Sequence, residues 1–257
     1  MHIRVKGGNV ESLHTWTEDP KTAIQLQKTL ASRIVREDCF PATIELIAGV
    51  DVGFEPLDPK RNARVDPAAP SLTRAVIVVM EYPSLRVIEQ VLHRQPTTMP
   101  YIPGLLSFRE LPAILEAYAS LAHRPDLLMV DGQGIAHPRR MGIATHLGLW
   151  LDQPTIGVGK SRLCGRHAEV PNVKGATVPL MDKGEEIGRV MRSREGVKPL
   201  YISQGHRISL DTACDWVRAC LTRYKLPEPT RQADRLASRR TREGVLMREA
   251  HFSTHDE

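Results

Sequence analysis

The sequence predicts one α/β domain built on a mixed sheet and flanked by helices. Three observations carry that expectation. Residues 44–54 alternate apolar and small or polar side chains with the period of a strand, and two further strand-like runs follow, which describes an antiparallel meander. Two short apolar runs, 126–131 and 154–159, bracket a helical stretch at 142–151, and that alternation calls for parallel pairing with a right-handed crossover. The chain has 257 residues, 41% hydrophobic and 25% charged, which is enough to bury a core without disulfides and too apolar for disorder.

The elements follow in order. Residues 1–18 show no apolar period and are expected to form a flexible extension. Asp19-Pro20 reads as a helix start, Asp as N-cap and Pro at the first helical position; Ile24, Leu26, Leu30, Ile34 and Val35 carry the helical period toward Cys39, and Pro41 ends it. In the strand 44–54, Ile44, Leu46, Ala48, Val50, Val52 and Phe54 share one face, while Glu45, Ile47, Gly49, Asp51 and Gly53 share the other. A loop with Pro56, Pro59, Pro67 and Pro70 leads to strand 72–80, and Tyr82-Pro83-Ser84 turns the chain into strand 87–92. After the loop 96–104, a helix is expected from Ser107 to about Ala122, then the strand–helix–strand unit, further strands near 177–180, 187–191 and 200–203, and a helix at 213–221. Residues 231–257 hold six Arg and five acids with little apolar period and are expected to be a charged, disordered tail.

Composition excludes several classes. Cys39, Cys164, Cys214 and Cys220 show no CxxC or zinc spacing, so four reduced thiols in a reducing compartment are expected. The N-terminus lacks the apolar stretch of a secretory signal, and the longest aliphatic run, 75–80, is far short of a membrane span; a cytoplasmic protein with no membrane partner is expected. The net charge is only +5, and four Phe, three Trp and five Tyr are too few for a broad base-stacking platform.

The chemistry-bearing residues cluster at strand ends. Asp51 lies within the first strand on the face opposite its aliphatic row, and Asp131 closes the apolar run Leu127-Leu128-Met129-Val130. Two carboxylates about 4 Å apart would repel by roughly 4 kcal/mol at an effective dielectric near 20, so such a pair calls for a divalent cation or a shared proton; carboxylate oxygens suit Mg²⁺ or Mn²⁺. Each Asp alone is equally well read as a strand-end turn former. In the loop 131–140, Gly132 and Gly134 permit close backbone approach to a ligand, and His137, Arg139 and Arg140 offer donors to phosphates. With Lys160, Arg162 and Arg166, the stretch 131–166 has five basic residues against two acids, a local +3 that suits phosphodiester chemistry or a solvated basic loop. Ser107-Phe108-Arg109-Glu110 has the form of a capping box, which competes with a catalytic role for Glu110. His206 follows a strand and precedes a helix, where it could cap that helix or shuttle protons. Met99-Pro100-Tyr101-Ile102-Pro103-Gly104 is a proline-stiffened loop with apolar residues; it either packs on the body or wedges into a base stack.

These segments together resemble a known family. Residues 46–54, Pro100-Tyr101-Ile102-Pro103-Gly104, Phe108-Arg109-Glu110, residues 130–140, Thr155-Ile156-Gly157-Val158 with Lys160, and Gly205-His206-Arg207 are similar to the motifs of bacterial endonuclease V, the deoxyinosine 3′ endonucleases of DNA repair. The resemblance implies a ribonuclease H-like fold in a single nuclease domain at 19–230. It implies Asp51 and Asp131 as ligands of Mg²⁺, with Mn²⁺ as a substitute, and Glu110 completing the acidic set and orienting water. It further implies Lys160 stabilising charge on the phosphate, His206 in or beside the active site, and Tyr101, with Ile102 and Pro103, as the wedge that fills the gap left by a flipped base. The backbone of Gly132 to Gly134 is the candidate for part of the pocket that reads the flipped base, and His137 and Arg139 are expected to bind DNA through its phosphates. The implied reaction is attack of a cation-activated water at the second phosphodiester bond 3′ to the lesion, leaving 3′-hydroxyl and 5′-phosphate ends, by a monomer acting on deoxyinosine-containing DNA. The alternatives are a nuclease acting mainly on inosine-containing RNA or other single-stranded nucleic acid, and a non-catalytic reader of distorted DNA.

Overall fold

The structure is a computed structural model that describes residues 3–5, 8–10, 12–56, 71–238 and 248–249. The prolines 59, 67 and 70, the stretch 239–247 and the last residues lie outside the described part. Strands β1 (Ile3–Val5) and β2 (Gly8–Val10) form a small antiparallel pair. The body follows: α1 (Pro20–Leu30), β3 (Leu46–Pro56), β4 (Ser71–Glu81), β5 (Val87–Pro96), α2 (Leu106–Ala119), β6 (Leu127–Val130), α3 (Ile143–Leu151), β7 (Thr155–Gly159), β8 (Thr177–Asp182), β9 (Glu185–Met191), β10 (Leu200–His206), α4 (Leu210–Ala219) and α5 (Glu228–Ala237). A short β11 (Arg248–Glu249) pairs parallel with β5 at the sheet edge.

The main sheet runs β11-β5-β4-β3-β6-β7-β10-β9-β8. Its β3-β4-β5 half is the expected antiparallel meander, and β3, β6 and β7 are parallel neighbours, as the crossover rule requires. The mixed α/β sheet flanked by helices is the class that the periodicity predicts, and it agrees with the ribonuclease H-like fold that the resemblance implies. One face of the sheet, with Ala48, Val50, Ile77 and Val79, packs on Leu111, Ile114 and Leu115 of α2 and Leu147 and Trp150 of α3. The other face is covered by α4, through Cys214 and Val217, and by α5, through Ala233, Leu236 and Ala237. All four cysteines are free thiols, Cys214 and Cys220 buried. No helix among the described residues is long and apolar enough to cross a membrane.

Four expectations change. Asp19 does cap α1, its carboxylate accepting from the Thr22 N–H at 2.8 Å, but the helix ends at Leu30 with one 3₁₀ turn (Ala31–Arg33) rather than near Cys39. The chain leaves it because Val35 is drawn to β10: its N–H donates to His206 Nδ1, and its carbonyl accepts from the Arg207 N–H. Residues 12–18 are not a loose extension. Trp16 stacks on Trp150 with ring centroids 4.7 Å apart, and the His14 and His146 Nε2 atoms hydrogen-bond at 2.7 Å. The capping box does not form: Leu105 occupies the N-cap of α2, and the Ser107 hydroxyl bonds His146 Nδ1 instead. Finally, residues 231–237 belong to α5 rather than to a disordered tail.

Candidate active site

Register brings the first two acids together. Val50 of β3 pairs with Val130 of β6, and the Asp131 N–H donates to the Val50 carbonyl at 2.9 Å, so Asp51 and Asp131 stand side by side at the same level of the sheet. Val130 in turn pairs with Gly157 of β7, whose last residue, Gly159, hands the chain to Lys160.

Asp51 also lies between two glycines that share its face, Gly49 and Gly53. A Cβ on Gly49 would come within 1.9 Å of the Pro229 carbonyl oxygen, and one on Gly53 within 2.1 Å of the Ala237 carbonyl oxygen. These two gaps let the backbone of α5 lie directly along β3, the close approach that glycine in a strand allows. Asp234, midway along α5, then meets Asp51. Asp51, Asp131 and Asp234 each present a carboxylate oxygen within 4.8 Å of the other two.

Lys160 reaches into this group. Its ammonium lies 2.6 Å from Asp234 Oδ1 and 3.8 Å from Asp51 Oδ2, and it makes a direct ion pair with Asp131. Those carboxylates hold the lysine above its ordinary value despite its burial. The acids respond the other way. Burial and the neighbouring Asp131 push Asp51 well above the usual carboxylate range, and burial raises Asp131 although Lys160 opposes it. Each pair of ionised carboxylates within 4.8 Å repels by at least roughly 3 kcal/mol at an effective dielectric of 20, and three carboxylates with one ammonium leave the group a net charge of −2 when all are ionised.

Glu110 completes the set from α2. It is 7% exposed, and burial first, then the charges of Asp51 and Asp131, raise its carboxyl well above normal. The three aspartates around Lys160, with Glu110 near Asp51 and Asp131, form a hard oxygen donor set, which fits a divalent cation of the Mg²⁺ or Mn²⁺ type and has no soft ligand to favour others. Asp51, Glu110 and Asp234 belong to β3, α2 and α5, and Asp131 and Lys160 directly follow β6 and β7. Asp51, Glu110, Asp131 and Lys160 line a cavity of about 510 Å³.

Comparison with known proteins shows the family. A family model described as Endonuclease V matches residues 28–235. The chain is 54% identical over 225 residues to an endonuclease V of Azotobacter vinelandii and 51% identical over 225 residues to one of Nostoc punctiforme, in each case covering 88% of this chain and 96% of the relative. The chain belongs to the endonuclease V family. A crystal structure of endonuclease V from Streptomyces avermitilis superposes with a TM-score of 0.77 at 34% identity, covering 93% of this chain and 97% of that one.

In this endonuclease V family member the proline-stiffened loop sits at the cavity rim. Tyr101 is 63% exposed and lines the cavity, and Pro103 is exposed. Ile102 separates from it, packing inward with Met99, Leu105 and Phe108, so the loop presents one ring rather than a pair of apolar tips. Gly132 lines the cavity with φ +147, where a Cβ would meet Ile143 at 2.5 Å. Gly134 does not. Its N–H donates to Ser203 Oγ, and the Gln204 carbonyl oxygen lies 2.2 Å from where a Cβ would be, so its smallness serves packing against β10.

The basic residues of the following loop are committed within the protein rather than offered to phosphates. His137 lines the cavity, but its Nε2 donates to the Gly104 carbonyl at 3.0 Å and its Nδ1 accepts from the Arg139 N–H. Burial lowers it to about 4, so the ring is neutral near pH 7. Arg139 donates to Gln27 Oε1 and to the Gly104 carbonyl, and Arg140 pairs with Glu185 and Asp182.

His206 lies away from the carboxylates. Because β10 is antiparallel to β7, its last residue pairs with Thr155, the first of β7, at the opposite end from Lys160. There His206 is 3% exposed, between the Val35 N–H and the Asp152 carboxylate at 3.2 Å. It ties the α1–β3 connection to the end of α3. The residue that sequence reasoning passed over is Asp234. Two signals pointed to it: Pro227 and Pro229 at a helix start, and Gly49-x-Asp51-x-Gly53 on one strand face, a slot for another backbone.

Proposed function

We propose that this chain is a metal-dependent DNA repair endonuclease that recognises deoxyinosine and hydrolyses the second phosphodiester bond 3′ to it, leaving 3′-hydroxyl and 5′-phosphate ends. The observation that carries this reading is the convergence of Asp51, Asp131 and Asp234 on Lys160, with Glu110 lining the same cavity, whose rim is the exposed Tyr101. Family membership supports nuclease chemistry. Support for the lesion comes from an endonuclease V of Ciona intestinalis, 25% identical with a TM-score of 0.71, crystallised with a 24mer DNA containing an inosine followed by a ribo-adenosine.

Within this reading, Asp51, Asp131 and Asp234 hold Mg²⁺, or Mn²⁺ in its place, and Glu110 stands beside them. The bound cation supplies charge compensation and water activation. Glu110 orients the attacking water by accepting its proton at a carboxylate oxygen. Lys160 stays protonated and turns its ammonium toward the phosphate oxygen on which charge develops. Tyr101 fills the gap in the base stack, and the cavity beneath it encloses the flipped base.

The test is a nicking assay on duplexes with and without one inosine, each with Mg²⁺ and with chelator. Nicks confined to the inosine duplex with Mg²⁺ support the reading, and end-labelling places the cut. An abasic product, or equal nicking of both duplexes, would sink it. The ribo-adenosine in the Ciona complex favours a second reading, a nuclease acting mainly on inosine-containing RNA. Initial rates on matched DNA and RNA strands separate the two.

A further inference from the structure

The apolar side of α1 carries one amide. Ala23, Gln27 and Leu30 are its buried residues, and Gln27 is 1% exposed. A buried amide costs stability unless its hydrogen bonds are made, and leucine or methionine would fill the same volume without that cost. Here the whole amide is used. Gln27 Nε2 donates to the Gly104 carbonyl at 2.9 Å and to the Met141 carbonyl at 3.3 Å, and Oε1 accepts from Arg139 Nε at 2.6 Å.

The partners define what it holds. Gly104 ends the loop that carries Tyr101, at φ +79, and its carbonyl takes donors from Gln27, from Arg139 Nη2 at 2.7 Å and from His137 Nε2 at 3.0 Å. Arg139 and Met141 belong to the loop that runs from Asp131 to α3. Gln27 thus joins three segments, α1, the Tyr101 loop and the Asp131 loop, at the cavity wall.

We infer that Gln27 is a positioning residue for lesion discrimination: by fixing the Gly104 carbonyl against the Asp131 loop it sets the Tyr101 ring at the right reach from the base cavity. The inference rests on the proposed deoxyinosine reading. It touches neither the carboxylates nor Lys160, so the hydrolytic machinery stays whole when Gln27 is changed.

The experiment compares wild type, Gln27→Met, Tyr101→Ala and the double variant on inosine and undamaged duplexes with Mg²⁺, with thermal unfolding to show that each is folded. Gln27→Met keeps the volume and removes all three hydrogen bonds. Its preference for the inosine duplex should fall about tenfold, through KM rather than kcat, the loss expected for one or two net hydrogen bonds. In the double variant Gln27→Met should add little to Tyr101→Ala, because both act through one loop. Unchanged preference in folded Gln27→Met, or full additivity in the double variant, would overturn the inference. If Gln27→Met does not fold, Gln27→Asn serves in its place: it stays polar but falls one methylene short, and part of the preference should go; unchanged preference overturns the inference equally. A wild type without inosine preference would instead defeat the functional reading, since its clamp is intact.

Discussion

Asp51 of β3 and Asp234 of α5 face each other at the seam where the α5 backbone lies along β3, joined by the ammonium of Lys160 at 3.8 Å from one and 2.6 Å from the other. The seam exists because Gly49 and Gly53 leave room for the α5 backbone on either side of Asp51. A helix that would otherwise be a peripheral cover thereby supplies part of the acidic site.

Replacing Asp234 should therefore matter as much as replacing a strand acid. Asp234→Ala is expected to lower Mg²⁺-dependent nicking by at least about a hundredfold. Binding of the inosine duplex in chelator, measured by fluorescence anisotropy, should persist. A nicking rate close to wild type would remove α5 from the active site.

The crowding of acids has a stability consequence. Asp51 is held well above its usual value by burial and by Asp131, so its ionised form is unfavourable in the cation-free protein, and stability falls as pH rises through the carboxylate range. Asp51→Asn should raise stability near pH 7 in chelator by about 1–3 kcal/mol while abolishing nicking. Adding Mg²⁺ should then stabilise wild type more than the variant. A destabilised Asp51→Asn in chelator would contradict this account of the charges.

His206 gives the opposite pattern. His206→Asn removes a buried ring that bridges the Val35 N–H and Asp152, so the unfolding temperature should drop by the equivalent of about 1–3 kcal/mol. Nicking at a temperature where the variant is folded should remain near wild type. A large loss of kcat without a loss of stability would return His206 to the catalytic set.

Acid should loosen the Tyr101 loop through His137. Burial lowers this ring from 6.5 to about 4, so the unfolded chain binds its proton first, and stability falls as pH drops from about 6.5 toward 4. His14 and His146 are also lowered by burial and act in the same direction. His137→Gln keeps a donor for Gly104 and an acceptor for the Arg139 N–H but does not titrate. The fall in unfolding temperature between pH 7 and pH 5 should be smaller in that variant than in wild type. An identical slope would show that the proton goes elsewhere.

Much of the site was legible because its cues are local. Asp51 and Asp131 stand out as carboxylates on apolar strands, Lys160 as a cation at the end of a third, and Tyr101 as a ring in a loop stiffened by prolines. Glu110 was ambiguous because Ser107 three residues earlier mimics a capping box; only the position of His146 shows that the hydroxyl is engaged elsewhere. The segment around Asp234 reads as a charged tail because its buried side has one large apolar residue, Leu236, beside Ala233 and Ala237, too weak a stripe to announce a helix. Trp16 and His14 looked like part of a loose end because their partners, Trp150 and His146, lie over a hundred residues away.

The sequence by itself determined the class of sheet, the strand ends that carry charge and the loop that presents Tyr101, since periodicity and turn chemistry act over a few residues. The tertiary structure alone decided that Asp234 joins the site and that His206 leaves it, because those outcomes depend on which strands run parallel and which backbones touch. It also decided that His137 and Arg139 hold the Gly104 carbonyl instead of facing solvent. A basic residue's role is set by the nearest acceptor in space, and in this protein that acceptor lies more than thirty residues away along the chain.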